Sequence, residues 1–523
     1  MPDLDHLTPE QLRTFAADLL LQVQAREQEN ALQRSIIAER DDEIKRRQLR
    51  EDKLTHELAL LRRHRFGKGS EALDSQQLSM LEDLLKEDIA AIETELEQIA
   101  VPPQTATVKQ QPKRQALPPE LPRTPIHHEP DTTICTCGCQ LIRIGEDISE
   151  KLDYQPGTFT VEQHIRGKWA CRQCETVTQA PVPAHVIDKG IPTTGLLAQV
   201  LVSKYADHLP LYRQEQIFAR AGVHLPRSTL ADWIGRCGVE LQPLVDALRD
   251  ELLTHTVLHA DETPVAMLAP GKKQTHRAYV WAYAATRFAP VQGVVYDFRP
   301  TRSGKEVRSF LADWKGNLVC DDFSGYKASF SNGVIEIGCM AHARRKFHEL
   351  HVANKSQIAQ QALEYIRQLY EVERSAANLD ANARQQLRQE HAKPILDQLH
   401  QWLIAQRQLI TNGTVTAKAI DYSLKRWTAL TRYLNDGNVP IDNNWVENQI
   451  RPWALGRSNW LFAGSLRSGQ RAAAIMSLIQ SAKINGHDSY AYLKDVLERL
   501  PTQRASMINE LLPHHWKLPA DKV

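Results

Sequence analysis

The sequence predicts an α+β protein of several domains, and three observations carry that expectation. The first hundred residues are rich in Leu, Ala, Gln, Glu and Arg, with no Pro or Gly between residue 10 and residue 62, a composition that favours helix. Five cysteines then gather in two tight groups between residues 131 and 190. From residue 255 onward, β-branched and aromatic runs replace the helix formers, and two of these runs end in aspartate. A chain of 523 residues exceeds what one core supports; at roughly 150 residues per domain it divides into three or four units.

Residues 1–100 read as a helical, coiled-coil multimerisation region. One helix covers 8–62 and a second runs from about Ser75 to Ala100. In the second, Leu78, Leu81, Leu85, Ile89, Ile92, Leu96 and Ile99 recur at steps of three or four, a narrow apolar stripe that calls for a partner helix in this chain or in a second copy. The turn between them, "LRRHRFGKGSEAL", sets Arg62, Arg63, Arg65 and Lys68 around Phe66, a composition compatible with phosphate contact or with a solvated loop. Residues 101–130 hold eight prolines and read as a semi-extended linker.

Residues 131–190 predict a zinc-binding module. Cys135, Cys137 and Cys139 in "CTCGC" compete for two positions, taken here as Cys135 and Cys137, and Cys171 and Cys174 in "WACRQC" supply the other two. Gly138 permits the tight turn that brings one pair of sulfurs together, and "FTVEQHIRG" alternates like a hairpin strand. Residues 191–250 predict a helix-turn-helix-like region, with helices in three pieces over 193–236, the last two joined by a turn at Gly222. Ser228 or Thr229 would cap the third, which opens with Arg227, in the manner of a helix-turn-helix. Three packed helices with no DNA role are the alternative.

Residues 251–470 carry the chemistry. "HTVLHADETPV", "RAYVWAYAA" and "PVQGVVYDF" predict three strands, "SGKEVRSFLADW" a helix, and "NLVCDDF" a fourth strand. Asp261 ends the first strand and Asp321 the fourth. In a ribonuclease-H-like sheet those strands are neighbours, which would bring together two carboxylates 60 positions apart (321 − 261). A helix from about Asp442, stopped by Pro452, would add Glu447. Three converging carboxylates need a hard cation, and two magnesium (or manganese) ions suit phosphoryl transfer. Arg451, one turn beyond Glu447, and Arg457 are suited to gripping phosphate, and Asn443 and Asn444 to orienting ligands or capping the helix. Separate surface acids with no metal are the bland alternative.

The motifs "LHADETPV", "VCDDFSGY", "GCMAHARRKF", "DNNWVENQIRPWALGRSNWLFAGS" and "RAAAIMSLIQSAKINGHDSYAYLKDVL" resemble those of the insertion-sequence-66 family of bacterial transposases, and the resemblance runs over nearly the whole chain. It implies an Asp-Asp-Glu triad at Asp261, Asp321 and Glu447, with a helical insertion in the 126 positions between the last two (447 − 321), here about 355–434. It also implies DNA-end recognition by one structural zinc module and the helix-turn-helix, a coiled coil for homo-oligomers, and two small companion proteins encoded alongside. Residues 471–523 would form a C-terminal helical region. Asp322 stands where the family often has glycine, and Cys139 is an additional cysteine. Cys339 and His342 form a C-x2-H just before Arg344, Arg345 and Lys346; the pair is read as structural or as approaching DNA, and two ligands alone do not predict a metal site.

The expected activity is transposition: cleavage at element ends to free 3′-hydroxyls, then their joining to target DNA. A non-catalytic zinc and helix-turn-helix regulator, or a structure-selective nuclease on the same fold, is the alternative. The N-terminus lacks a secretory layout and no apolar run approaches the roughly 20 residues that span a bilayer, so a cytoplasmic, nucleoid-associated protein with reduced cysteines and no membrane partner is expected. The net charge of +1 excludes nothing, because neutrality overall can conceal local basic surface.

Overall fold

A long helix, α1 (Pro9–Phe66), opens the chain, followed by α2 (Ser75–Ile99). The computed structural model describes residues 9–66, 75–99, 117–155, 157–188, 190–269 and 275–517. They divide into two compact units, one from Met1–Lys68 with Ile92–Lys109 and the other from Gly69–Ala91 with Gln110–Val523. In the first unit Leu54, Leu58 and Ile92 are buried, and Arg62 pairs with Glu93 at 2.7 Å. The basic turn beyond Phe66, most of the proline-rich stretch and the side chain of the stripe residue Leu78 lie outside what is described.

The second unit begins with the acidic face of α2. Glu87 and Asp88, 0% and 1% exposed, both receive the buried Arg471 (2.9 and 3.0 Å), and Glu87 also binds Lys204. Gly235 lies so close that a Cβ there would meet the Glu87 carbonyl oxygen at 2.4 Å.

The expected linker ends early. Residues 123–128 form β1 (Arg123–His128), which pairs parallel with β3 (Thr158–Ala170); β3 pairs antiparallel with β2 (Ile142–Gln155) and with β4 (Val177–Gln179). Pro125 is tolerated because β1 is an edge strand. This ribbon carries the cysteines at one end. Its other end packs Leu152, Tyr154, Phe159 and Val161 into the main core.

Three helices follow: α3 (Thr194–Tyr205), α4 (Leu211–Arg220) and α5 (Arg227–Leu252). Thr193 caps α3. The third helix departs from expectation twice. Its N-cap is Pro226 with no side-chain cap, so Ser228 and Thr229 lie inside the first turn, and it continues through Pro243 to Leu252. Burial of Leu230, Trp233, Ile234, Leu241, Leu244 and Leu248 sustains that length against the proline.

The central sheet comprises β5 (Val257–Met267), β6 (His276–Ala285), β7 (Val294–Arg299), β8 (Asn317–Cys320) and β9 (Ile335–Gly338), in the order β7-β6-β5-β8-β9. The first three run antiparallel as a meander; β8 lies parallel to β5, and β9 parallel to β8. Helix α6 (Gly304–Leu311) makes the crossover to β8, and a short α7 (Lys327–Phe330) precedes β9, a strand the sequence reading missed. The outer edge of β7 is covered by serine hydroxyls: Ser477 accepts from Tyr296 N at 2.8 Å, and Ser481 both accepts from Val294 N and donates to Val294 O at 3.0 Å.

A helical insertion begins immediately after β9, not near residue 355. It comprises α8 (Met340–Asn354), α9 (Gln357–Ser375), α10 (Ala381–Leu387), a wide π turn at 388–392, α11 (Lys393–Leu409), α12 (Val415–Lys425) and α13 (Trp427–Thr431). Its core of Phe347, Ile366, Leu369, Leu396, Leu399, Leu403 and Tyr433 is distinct from the main one. The entering Met340 N–H bonds the departing Ile441 carbonyl at 3.1 Å.

The chain then returns as α14 (Asn444–Trp460), α15 (Leu466–Ile484) and α16 (Ser489–Arg499). Pro452 does not terminate α14. Trp453, 1% exposed and packed edge-on to Tyr296, anchors the helix beyond the proline.

Candidate active site and zinc centre

The cysteine module builds its site from two turns. The 135–139 turn is held by Cys135 N–Cys139 O and Gly138 N–Cys135 O bonds of 2.8 Å, with Gly138 at φ 85°. The 171–174 turn leaves β3. Together they bring the sulfurs of Cys135, Cys137, Cys171 and Cys174 within 4.8 Å of one another. Cys139 instead points its thiol at Gln173 Oε1 (2.6 Å), which resolves the competition among the three N-terminal cysteines. The Thr176 hydroxyl and the neighbouring Cys135 thiol pull the Cys174 thiol down to about 6, toward the thiolate that a metal needs. Four sulfurs so placed fit one tetrahedral zinc ion as a structural centre.

The carboxylate site is built at the end of the short β5–β8 pairing. That pairing runs from Val257–Asn317 to His259–Val319; β5 outruns it, continuing against β6 to Met267. Asp261 therefore lies within its strand, two residues past the last parallel pair, while Asp321 directly follows β8. Asp261 is pushed up to about 8, first by burial, then by the charges of Glu262, Glu447 and Asp321. Asp321 also raises Glu262, after burial. Its neighbour Asp322 is exposed and turned to Arg426 at 3.4 Å.

Glu447 lies in the first turn of α14. Its Oε1 is 3.7 Å from His342 Nδ1 and its Oε2 3.6 Å from Arg345, so the carboxylate faces α8. Among the described residues, the three acids are not one of the sets whose ligand atoms all lie within 4.8 Å; Cys339, His342 and Glu447 are.

Asn443 locks this arrangement. It is fully buried, bonds His259 Nδ1 (2.8 Å) and the Ala260 carbonyl (2.9 Å) on β5, and sends its backbone N–H to Cys339 Sγ (3.2 Å). Asn444 is exposed and bonds Asp442 at 2.9 Å. Glu262, which sequence reasoning passed over, is 1% exposed, ion-paired to Arg302 and bonded by the Tyr326 hydroxyl at 2.9 Å. The acidic doublet in "ADETP" was its only trace.

The basic candidates separate. Arg344 and Arg345 line a cleft with His348, Arg367, Arg374 and Asn444, adjoining Glu447 through Arg345. Arg451 is exposed on α14. Arg457 reaches back to Thr263 and Pro264 on β5 (3.3 and 3.1 Å) and so ties helix to strand. Arg227 is engaged by Glu82 and Asp83 (3.3 and 3.6 Å). Ser228 and Thr229 are half-buried beside it.

A cysteine-cluster module thus accompanies an acid-bearing sheet, and similarity to known proteins gives the class. The family described as "Transposase IS66 family" matches residues 189–471, and "IS66 C-terminal element" matches 477–514. "Zinc-finger binding domain of transposase IS66" covers 132–175, and "Transposase C of IS166 homeodomain" covers 53–126. The chain belongs to the IS66 family of transposases. It is 39% identical to the uncharacterized protein y4jD of Sinorhizobium fredii (strain NBRC 101917 / NGR234) over 78% of this chain and 82% of that one. To y4qI of the same organism it is 38% identical over 89% of each. No helix among the described residues is long and apolar enough to cross a membrane.

Proposed function

We propose that this protein cuts and joins DNA at the ends of its insertion sequence, with Asp261, Asp321 and Glu447 as the acids that hold two divalent ions. The observation carrying this reading is the parallel pairing of β5 with β8, which sets Asp261 and Asp321 at one end of the sheet, with α14 packed beside β5. The strand order and directions support a ribonuclease-H-like core interrupted by the helical insertion. The mutual charge repulsion at Asp261 fits a site that is completed by cations.

Magnesium or manganese, when bound by these carboxylates, supplies activation of the attacking oxygen and stabilisation of the leaving one. The chain's own residues supply position. Arg344, Arg345 and Arg451 present cations to the DNA backbone next to the acids. Arg302 holds Glu262 in place beside Asp261. No covalent protein–DNA link is required, so a serine or tyrosine nucleophile has no part. The zinc module and the α4–α5 pair serve end recognition, and self-association and companion proteins complete the working assembly in the cytoplasm, at the nucleoid.

Glu447→Gln tests the reading. It should abolish divalent-dependent cleavage and joining while end binding persists; cleavage retained by that variant would remove Glu447 from the triad. A non-catalytic regulator would bind ends with no cleavage in the parent protein, and a structure-selective nuclease would cut branched DNA without joining.

A further inference from the structure

Cys339, His342 and Glu447 come from the two sides of the insertion neck. Cys339 is the N-cap of α8 and His342 its third residue, one turn on, so both side chains lie on the same face. Glu447 approaches from the first turn of α14. One donor atom of each lies within 4.8 Å of the others.

The gap between His342 and Glu447 is the informative feature. Nδ1 and Oε1 are 3.7 Å apart, too far for a hydrogen bond. Both atoms are nonetheless buried, and neither has a hydrogen-bond partner. Two unmet polar atoms facing one another are costly unless something sits between them. Nitrogen and oxygen ligands about 2.0–2.2 Å from a tetrahedral ion are roughly 3.3–3.6 Å apart, close to the spacing here. Cys339 Sγ receives the Asn443 backbone N–H at 3.2 Å, the kind of contact that steadies a coordinated thiolate, and a bound cation would displace the proton that burial keeps on it. Arg345 balances the other oxygen of Glu447, leaving Oε1 free.

We propose that Cys339, His342 and Glu447 form a second transition-metal site that takes a zinc-class divalent cation, apart from the four-cysteine module. The mixed sulfur, nitrogen and oxygen set suits a borderline-soft ion and not magnesium, which prefers oxygen alone. The His342 and Glu447 side chains are 25% and 28% exposed, while their donor atoms are buried. A cation here holds Glu447 against α8, in competition with its role beside Asp261; that consequence rests on the function proposed above, whereas the binding requires only the three side chains.

The test is the zinc content of the full-length protein, by mass spectrometry after dialysis against a zinc buffer, with no DNA present. The parent should carry two equivalents, His342→Ala and Cys339→Ser one, and Cys171→Ser should lose the other. Glu447→Gln should weaken the second equivalent. One equivalent in the parent, or two retained by His342→Ala, overturns the proposal. His342 is half-buried and its replacement leaves the core intact, so the test stands even if Cys339→Ser fails to fold. Zinc content of His342→Ala reads this site whether or not Glu447→Gln retains cleavage, so failure of the triad and failure of this site are distinguishable.

Discussion

The Asn443 side-chain oxygen and His259 Nδ1 meet at 2.8 Å inside the protein, with both residues 0% exposed. This bond and its companion to the Ala260 carbonyl join the start of α14 to β5, setting the distance between the helix that carries Glu447 and the strand that carries Asp261. Asn443→Ala leaves a buried ring nitrogen and a carbonyl unpaired. The expected cost is about 2–3 kcal/mol, read as a lowered urea midpoint, with a larger proportional loss of cleavage than of end binding. Unchanged cleavage would show that α14 is positioned by other contacts.

Arg388 is the corresponding anchor within the insertion. It is 0% exposed, forks onto both oxygens of Glu373 at 2.7 Å and donates to the carbonyls of Tyr433, Asp436 and Val439 at 2.9 Å. Arg388→Met strands a buried carboxylate and should cost about 3–5 kcal/mol. The double variant with Glu373→Met should recover part of that loss, because the stranded charge is gone while the three carbonyls stay unmet. A double-mutant cycle in guanidinium would measure the coupling; strict additivity would deny the pair.

His185 provides a pH signature. Burial, with Lys151 nearby, lowers it to about 4, and its Nδ1 accepts the Ile187 N–H at 3.2 Å. The unfolded chain takes up this proton near 6.5, so the stability the neutral ring contributes is complete above that pH and is lost as pH falls toward 4. His185→Gln removes the linkage. Parent and variant stabilities should therefore converge between about pH 6.5 and 4, with a limiting slope of about 1.4 kcal/mol per pH unit. Parallel curves across that window would place the neutral ring elsewhere.

Removing zinc should loosen only the tip of the ribbon. Cys135, Leu141 and Cys171, with Trp169 against them, form a small cluster separate from the main core. Chelation should accelerate amide exchange at residues 133–145 and 168–176 and leave β5–β7 protected. Global unfolding on chelation would contradict this division.

The sequence made the sheet legible because its strands are short, apolar and separated by turn residues, and the β5–β8 neighbourhood followed from their order. The cysteine pairs were legible from spacing, but Cys139 was excluded only by its contact with Gln173. The continuation of α5 past residue 236 and of α14 past Pro452 was not legible, because burial of each helix's own leucines and tryptophans, as of Trp453 against the distant Tyr296, overrides the local cost of proline. Nor were the partners of Asn443, which the sequence marked only as a ligand-orienting or capping residue, nor Glu262 and the acidic face of α2. Each is polar, buried and satisfied by partners 40 to 384 positions away, for which no periodicity exists. The glutamate foretold as a triad member was found facing His342, a relation that needs the insertion neck to be visible.

The Met340–Ile441 bond ties together two points 101 positions apart (441 − 340). Whatever lies between them hangs from a clasp already fastened at the sheet. Helices beyond α8 in that loop can therefore be added, trimmed or exchanged with the sheet's register left in place.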